Sequence, residues 1–452
     1  MQPYPPLQTL IAASLLRRNG YSVALFDATF TDPSEGLAEA LERHRPRLIV
    51  IAEDNFNFLT KMCLVRNREV AFGYAAAARS AGIPIVVNGS DSSDRAAEYL
   101  AHGFNHVIAG ELEDTLLDLC TVGIENAAGL PGIRSRDENG TLRYGAPRRP
   151  VPELATIPGP AWDLVDISTY RDAWMKTHGF FSLNLVSSRG CPFRCNWCAK
   201  PIYGGTYRFH PPVDVAREML RLKRDYDPDL IWFADDIFAL SRQWTSDFAN
   251  AVENLGAQVP FRMQSRCDLM TRQTVGDLRR AGCAEVWMGA ESGSQRILDA
   301  MDKDISVGAI RVARENLRAH GIRACLFLQF GYPGETWEDI EQTIAMVRAT
   351  RPDDVGISVS YPLPNTRLYE MVRSQNNHKT NWDDSGDLDM MFQGTYTAEF
   401  YRALADALHL EIRKGESSAA GAWKLVAELE PISRHRIPTL TTLPILARAG
   451  AA

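Results

Sequence analysis

Apolar positions along this chain follow two rhythms, short continuous runs and longer stretches at helical spacing, which alternate in two separate blocks. In the first block Leu7 to Arg18 has helical spacing and is stopped by Gly20, while Ser22 to Phe26, Leu48 to Ala52, Ile83 to Asn88 and His106 to Ala109 read as short buried strands. Helices are predicted at Ser34 to Arg43, Ala71 to Ala81, Arg95 to His102 and Glu111 to Cys120. That order predicts an α/β domain over residues 1–122, a doubly wound parallel sheet with ligand space beyond its strand ends. The second block, 181–374, has candidate strands at Ser182 to Val186, Leu230 to Ala234, Phe261 to Ser265, Glu285 to Gly289, Ala324 to Phe330 and Gly356 to Ser360, each followed by a helical stretch. Six such units predict a partial (β/α)6 barrel related to the eight-fold one, with reactive groups at the strand C-termini.

Between the blocks, residues 123–180 are rich in Gly, Pro and polar residues, including Pro131, Pro147, Pro150, Pro152, Pro158 and Pro160, and predict a linker with small strands. Residues 375–452 carry little pattern beyond a helix near Ala398 to Lys414 and are expected to form a small, mainly helical C-terminal cap over the barrel mouth.

At 452 residues, 45% hydrophobic and 23% charged, the chain has the composition of a soluble globular protein with two or three cores. A net charge of -7 gives no reason to expect a nucleic-acid partner. No apolar run reaches the roughly 18 residues that a membrane helix requires. Of eight cysteines, Cys63, Cys120, Cys267, Cys283 and Cys325 are scattered through apolar or helical contexts, which does not suggest a disulfide framework. With no signal peptide in view, a reducing cytoplasm is the expected location.

The other three cysteines stand in Arg189-Gly190-Cys191-Pro192-Phe193-Arg194-Cys195-Asn196-Trp197-Cys198, spaced C-x3-C-x2-C directly after the first strand of the second block. Thiolates this close converge on one centre only if the backbone wraps around it, and the Gly and Pro allow that. A zinc site would need a fourth ligand, and the nearest histidines, His178 and His210, form no pair with the run. An iron-sulfur cluster normally takes four cysteines, so a cubane held by three has a free iron.

After the second strand of this block, Asp235-Asp236 could bind an ammonium or simply cap a helix. After the fourth, Gly289-Ala290-Glu291-Ser292-Gly293 places an acid between glycines that allow close backbone approach. On the third, Gln264 and Arg266 are two residues apart and share a face, where an arginine wants an anion, either a ligand carboxylate or a neighbouring acid. Gly331-Tyr332-Pro333-Gly334 and Tyr361-Pro362-Leu363-Pro364 read mainly as turns.

The cysteine run, including Trp197 before the third thiol, closely resembles that of radical S-adenosylmethionine (radical SAM) enzymes. A Rossmann-like domain, a Pro-rich linker and such a barrel together resemble the cobalamin-dependent members of that family. The resemblance implies a 4Fe-4S cluster on Cys191, Cys195 and Cys198, whose free iron chelates S-adenosylmethionine. It implies cofactor contacts from Trp197, Asp235, Asp236, Glu291 and Ser292, and more weakly from Gln264 and Arg266, with Asp235 or Glu291 on the ammonium or ribose and Arg266 on the methionine carboxylate. Gly89 and Ser90, in Asn88-Gly89-Ser90-Asp91, and Gly110 and Glu111, in Gly110-Glu111-Leu112-Glu113, match loops around the corrin and its nucleotide tail. No Asp-x-His occurs in the chain, so no histidine is expected as the lower cobalt ligand, and Asn55, Phe56 or Asn57 is expected near that face. In the family a Tyr-Pro-Pro segment follows a first strand, whereas here it begins at Tyr4, so either the start is misassigned or the sheet lacks an edge strand.

The implied function is reductive cleavage of S-adenosylmethionine to a 5'-deoxyadenosyl radical and, with cobalamin, methylation of an unactivated carbon of a small-molecule substrate. An electron donor such as flavodoxin or ferredoxin would be needed, and no nucleic acid or membrane partner is expected. The alternatives are an oxidative cyclase or other radical rearrangement, and a non-catalytic iron-sulfur binding protein. An electron carrier would fill the fourth iron ligand, which argues against the last.

Overall fold

The computed structural model describes residues 3–56, 64–200, 202–375 and 388–435. Asn57 lies outside them. The first sheet has five strands, β1 (Ile49–Ala52), β2 (Ile85–Asn88), β3 (His106–Ile108), β4 (Ile133–Arg136) and β5 (Leu142–Tyr144), in that spatial order. The first three are parallel, and β4 and β5 add antiparallel. Two sequence expectations change here. Ser22 to Phe26 forms no strand, because a strand exists only with a ladder partner; Leu25 packs on the core instead. Part of the expected linker belongs to the first sheet: Asp137 accepts hydrogen bonds from the Asn139 and Thr141 amides, and Gly140 adopts φ 75°, closing an Asp-Glu-Asn-Gly hairpin between β4 and β5.

The second sheet has six parallel strands, β6 (Ser182–Leu185), β9 (Leu230–Phe233), β10 (Phe261–Ser265), β11 (Cys283–Glu291), β12 (Arg323–Phe330) and β13 (Asp354–Val359), each beside its predecessor. A two-stranded ribbon, β7 (Ser188–Arg189) with β8 (Arg208–Phe209), lies between β6 and the first crossover. Helices Pro212–Tyr226, Arg242–Leu255, Arg272–Ala281, Val307–Ala319 and Trp337–Thr350 make the crossovers. Their starts are set locally: Ser241, Thr271 and Ser306 accept from backbone amides in the first turn, and Thr336 and Asp339 form a capping box.

Strand alternation separates two faces. Ile231, Phe233, Phe261, Met263, Val286, Met288, Leu326 and Leu328 are buried in the large core with the helices. Trp232, Arg262, Gln264 and Trp287 point the other way, half-exposed, as does the exposed Phe327. Gly356 lets the Trp287 and Phe327 rings stack, with centroids 5.0 Å apart, since a Cβ there would meet Phe327 at 2.9 Å.

The expected cap is a flank. Helix Glu416–Ser433 packs on helix Ala398–Lys414, which lies beside β13 with Arg413 3.1 Å from Asp354 and Glu411 2.8 Å from Arg348 of helix Trp337–Thr350. An amphipathic helix settles where apolar surface is uncovered, here the outer side of the edge strand. The preceding segment reaches the carboxyl edge, where the Leu388 amide donates to Tyr361 Oη at 3.1 Å, and Tyr401 at the start of helix Ala398–Lys414 lies beside Gly331 at the exit of β12.

Tyr4, in the segment Pro3–Pro6, belongs to the large core of the second sheet, while the strands of the first sheet pack in two clusters of their own. Tyr4 packs between Trp174 and Trp232, at 5.1 and 4.9 Å, and its hydroxyl meets Ser182 Oγ at 3.1 Å and Arg262 Nη2 at 2.6 Å. Trp174 Nε1 donates to the Pro3 carbonyl and Asn184 Nδ2 to that of Pro5. Tyr4→Ala is expected to lower unfolding free energy by about 3–5 kcal/mol, as for other buried ring truncations, and Tyr4→Phe by about 1–3 kcal/mol. Urea titration followed by tryptophan fluorescence measures both.

Candidate functional site at the carboxyl edges of the two sheets

The cysteine loop leaves β7 through Gly190, whose φ is 79° and where a Cβ would lie 2.3 Å from the Thr206 carbonyl. Only glycine fits that approach. The Cys191 amide then donates to Gly204, the Cys198 amide to Cys195, and Lys200 Nζ to the Cys191 and Phe193 carbonyls. Cys191, Cys195 and Cys198 are all half-buried, and burial raises the Cys191 thiol pKa. Among the described residues no three His, Cys, Asp or Glu side chains stand close enough to hold a single metal ion. A cluster does not need that convergence, since each cysteine binds a different iron, so three thiols on one wrapped loop suit a cluster by donor chemistry.

The acids around this loop divide by burial. Asp235 has no solvent exposure; it accepts from the Ser187 amide at 3.1 Å and from the Ser187 and Ser188 hydroxyls at 2.7 and 2.5 Å. Burial pushes its pKa up to about 6. Its carboxylate therefore ties β9 to the turn after β6. Asp236 is exposed and accepts from the Gly190 amide at 3.1 Å, at the root of the loop. Gln264 Nε2 donates to the Asp235 carbonyl at 2.9 Å.

Glu291, at the end of β11, has φ 59° and pairs at 2.7 Å with Lys303 Nζ. Both are nearly fully buried. Burial pulls the Lys303 ammonium pKa down, but the Glu291 carboxylate outweighs it and holds it above its ordinary value. Gly289 makes room for the pair, because a Cβ would come within 2.5 Å of Glu291 Oε1 and 2.6 Å of Lys303 Nζ. Lys303 carries no motif in the sequence, and only its place in the turn after the Gly-rich segment could have drawn attention to it. Ser292 is buried against Thr343, 3.1 Å between hydroxyls, and helps seat the crossover helix.

Arg266, open in sequence to either a ligand carboxylate or a neighbouring acid, has the acid in the structure. Its Nε donates to Asp268 at 2.9 Å, its Nη1 and Nη2 donate to the Lys303 and Asp304 carbonyls, and its guanidinium lies 3.6 Å over the Phe193 ring. An acid two residues on satisfies it more cheaply than an empty pocket would. Trp197 borders a small apolar cluster with Ile297, Met301, Tyr332 and Leu368, and its buried Nε1 has no partner.

Facing the loop from the first sheet are the predicted corrin loops. Asn55 Nδ2 donates to Gln8 at 2.9 Å and to Asn88 at 3.3 Å, and its Oδ1 accepts from Ser90 Oγ at 3.3 Å. Phe56 is buried and stacks on Tyr203 at 5.1 Å. The Ser90 amide donates to Glu53 at 3.1 Å, and Gly89 admits that carboxylate at a distance no Cβ would tolerate. Gly110 is half-exposed with φ 81° and open space around it, leaving its backbone accessible. Neutral amide and hydroxyl groups with open backbone suit the carboxamide fringe of a corrin by chemistry, but Glu111 is otherwise engaged. It pairs with Arg208 and accepts from the Val151 amide at 3.0 Å, and Arg189 Nη1 is 3.7 Å away. Arg189 Nη2 in turn donates to Glu113 at 2.6 Å.

Residues 185–347 match the radical SAM superfamily, so the chain carries that enzyme domain. An uncharacterized methyltransferase of Pyrococcus horikoshii is 30% identical over 285 residues, 61% of this chain and 60% of its own. The chain thus spans about three fifths of that relative's length. The anaerobic magnesium-protoporphyrin IX monomethyl ester cyclase of Rubrivivax gelatinosus is 23% identical over 81% of this chain and 66% of its own. Among solved structures, the radical SAM methyltransferase TsrM of Kitasatospora setae, with cobalamin and a [4Fe-4S] cluster bound, superposes with a TM-score of 0.69 at 19% identity, over 82% of this chain and 72% of its own. The fold is that of the cobalamin-dependent radical SAM enzymes. Among the described residues no helix is long and apolar enough to cross a membrane.

Two outcomes follow from the buried charges. The Asp235 pKa is raised from 3.8 to about 6 in the folded state, so the native protein keeps a proton that the unfolded chain releases. Stability should therefore fall as pH rises from about 4 to about 6, by at most about 3 kcal/mol, and Asp235→Asn should flatten that slope in urea titrations at several pH values. Lys303→Met leaves Glu291 buried and unpaired and should cost about 3–5 kcal/mol at pH 7, whereas Lys303→Met with Glu291→Leu should recover most of it.

Proposed function

We propose, from the premise that the chain carries a radical SAM domain in the fold of the cobalamin-dependent enzymes, that it methylates an unactivated carbon of a small-molecule substrate. The six-stranded sheet is then the partial (β/α)6 barrel and the five-stranded one a Rossmann-like cobalamin domain. The observation that carries the reading is the placement of three thiols, on one wrapped loop at the carboxyl edge, beside the buried Glu291–Lys303 pair.

When bound, a 4Fe-4S cluster would supply the electron and open iron that S-adenosylmethionine needs to yield a carbon radical, and cobalamin would supply a transferable methyl group. Cys191, Cys195 and Cys198 would hold the cluster. Asp235 is occupied by serines, so the exposed Asp236 is the better acceptor for the methionine ammonium. Glu291 would accept from the ribose hydroxyls, and Lys303, rather than Arg266, would face the carboxylate. Trp197 would line the loop side of the pocket. Gly89, Ser90, Gly110, Asn55 and Phe56 would surround the corrin, with no histidine below cobalt. The inner barrel face, with Trp232, Trp287 and Phe327, would offer apolar surface beside the reacting carbon. Methyl transfer is favoured over cyclisation by the likeness to the Pyrococcus methyltransferase and to TsrM. A flavodoxin- or ferredoxin-type donor in the cytoplasm would supply electrons.

Anaerobic reconstitution with iron and sulfide tests this. The wild type should bind iron and, with a reductant, convert S-adenosylmethionine to 5'-deoxyadenosine; Cys191→Ala, Cys195→Ala or Cys198→Ala should each lose both, while Cys120→Ala, Cys267→Ala, Cys283→Ala and Cys325→Ala keep their iron. Full iron content in Cys195→Ala would sink the assignment. Added hydroxocobalamin should be retained with a base-off spectrum, and failure to retain it would move the protein to cobalamin-independent chemistry.

A further inference from the structure

Asn196, between the second and third cysteines, is 5% exposed and has five polar contacts. Its amide donates to the Met301 carbonyl at 3.0 Å, and its carbonyl accepts from the Leu368 amide at 2.9 Å. Its Nδ2 donates to the Ala300 carbonyl at 2.6 Å and to Asp302 Oδ2 at 3.2 Å, and the Tyr332 hydroxyl is 3.1 Å from its Oδ1. These partners come from three separate segments: the end of helix Gln295–Ala300 with the turn after it, the exit of β12, and the start of helix Arg367–Val372.

The turn Met301–Asp304 has a second grip on the loop. Asp302 and Asp304 have φ 51° and 56°, which aims the Lys303 and Asp304 carbonyls at Arg266, and Arg266 lies over Phe193 between the first and second cysteines. The Lys303 side chain of the same turn reaches Glu291. One turn therefore touches the cysteine loop on both sides and carries the cation of the adjoining pocket.

We infer that Asn196 is a positioning residue that, through the Met301–Asp304 turn, fixes the spacing between the cysteine loop and the Glu291–Lys303 pair. The residue type follows from the partners. A side chain that both donates to Ala300 and Asp302 and accepts from Tyr332 must be a carboxamide. Aspartate would set a like charge against Asp302, and leucine would remove both Nδ2 donors and the Oδ1 acceptor, leaving the Tyr332 hydroxyl and the Ala300 carbonyl, 2.8 Å apart, with only each other. The loop is thus shaped by protein contacts before any iron arrives. This inference rests on the proposed cluster site for its consequence, but not for its geometry.

The first arm of the test needs no cofactor. In the iron-free wild type, hydrogen exchange should show the Asn196 and Leu368 amides protected. In Asn196→Leu and Asn196→Asp they should exchange roughly ten-fold faster or more, while amides of β10 and β11 are unchanged. Should either variant fail to fold, Tyr332→Phe, which keeps the carboxamide and removes one partner, should give a smaller acceleration at the same amides. The second arm uses reconstituted protein: iron content should stay near wild type, the electron paramagnetic resonance spectrum of the reduced cluster should broaden, and the Kd for S-adenosylmethionine should rise roughly ten-fold. Wild-type exchange at Leu368 in Asn196→Leu overturns the inference, as does an unaltered spectrum and Kd in a variant that merely melts earlier. A wild type that takes up no cluster would remove the proposed activity, while the exchange arm would still decide the role of Asn196.

Discussion

Arg189 has no exposure to solvent and stands two residues before the first cysteine, so its charge must be met inside the protein. The acids that meet it, Glu113 at 2.6 Å and Glu111 at 3.7 Å, come from the loop after β3 in the other sheet. Arg208, on β8, pairs with Glu111 and brings the group to two cations and two anions. Burial alone would raise the Glu113 pKa, but the Arg189 charge outweighs it and holds the carboxyl below its usual range. Leaving any one of the four unpaired costs several kcal/mol at this depth. The loop at the edge of the first sheet therefore cannot shift independently of the cysteine loop. Phe56 and Tyr203, whose rings lie 5.5 and 5.1 Å from the guanidinium, close the same junction with apolar surface.

That junction explains which site residues are readable in the sequence. The cysteine run is legible because its chemistry depends on spacing along one loop. Glu291 is legible because glycines bracket it: Gly289 makes room for its carboxylate, and Gly293 lets the backbone close on the crossover helix at Gln342. Lys303 and Asn196 are not, since their roles come from segments that meet only in three dimensions. Asp235, Arg266 and Glu111 show the opposite failure. Each has the right residue type at the right strand end, but a nearer partner claims it: Ser187 and Ser188, Asp268, and Arg208. A strand end in a parallel sheet is a crowded place, and local hydrogen-bond satisfaction comes before ligand binding.

The same logic holds for the fold. Period-two and helical patterns located β1, β2, β3 and all six strands of the second sheet within a few residues. Ser22 to Phe26 has the pattern without the partner, and patterns do not encode partners. The β4–β5 hairpin was hidden in a Pro-rich stretch, although Asp137 to Gly140 carries its turn signal. The C-terminal segment, expected over the mouth with one helix near Ala398 to Lys414, instead has that helix on the flank, where its apolar side covers the edge strand and Arg413 and Glu411 pair with Asp354 and Arg348.

The Tyr4 contacts have a kinetic side. Its hydroxyl partners are 178 and 258 residues away in sequence, Ser182 on β6 and Arg262 on β10. Contacts of such separation raise contact order and slow folding, because a long loop must close before they reward it. During synthesis Tyr4 emerges long before either partner, with an aromatic ring and two prolines that nothing yet covers. The order of emergence makes the early segment a waiting surface on which the second sheet is later completed, so the two units mature as one object even though their strands never pair.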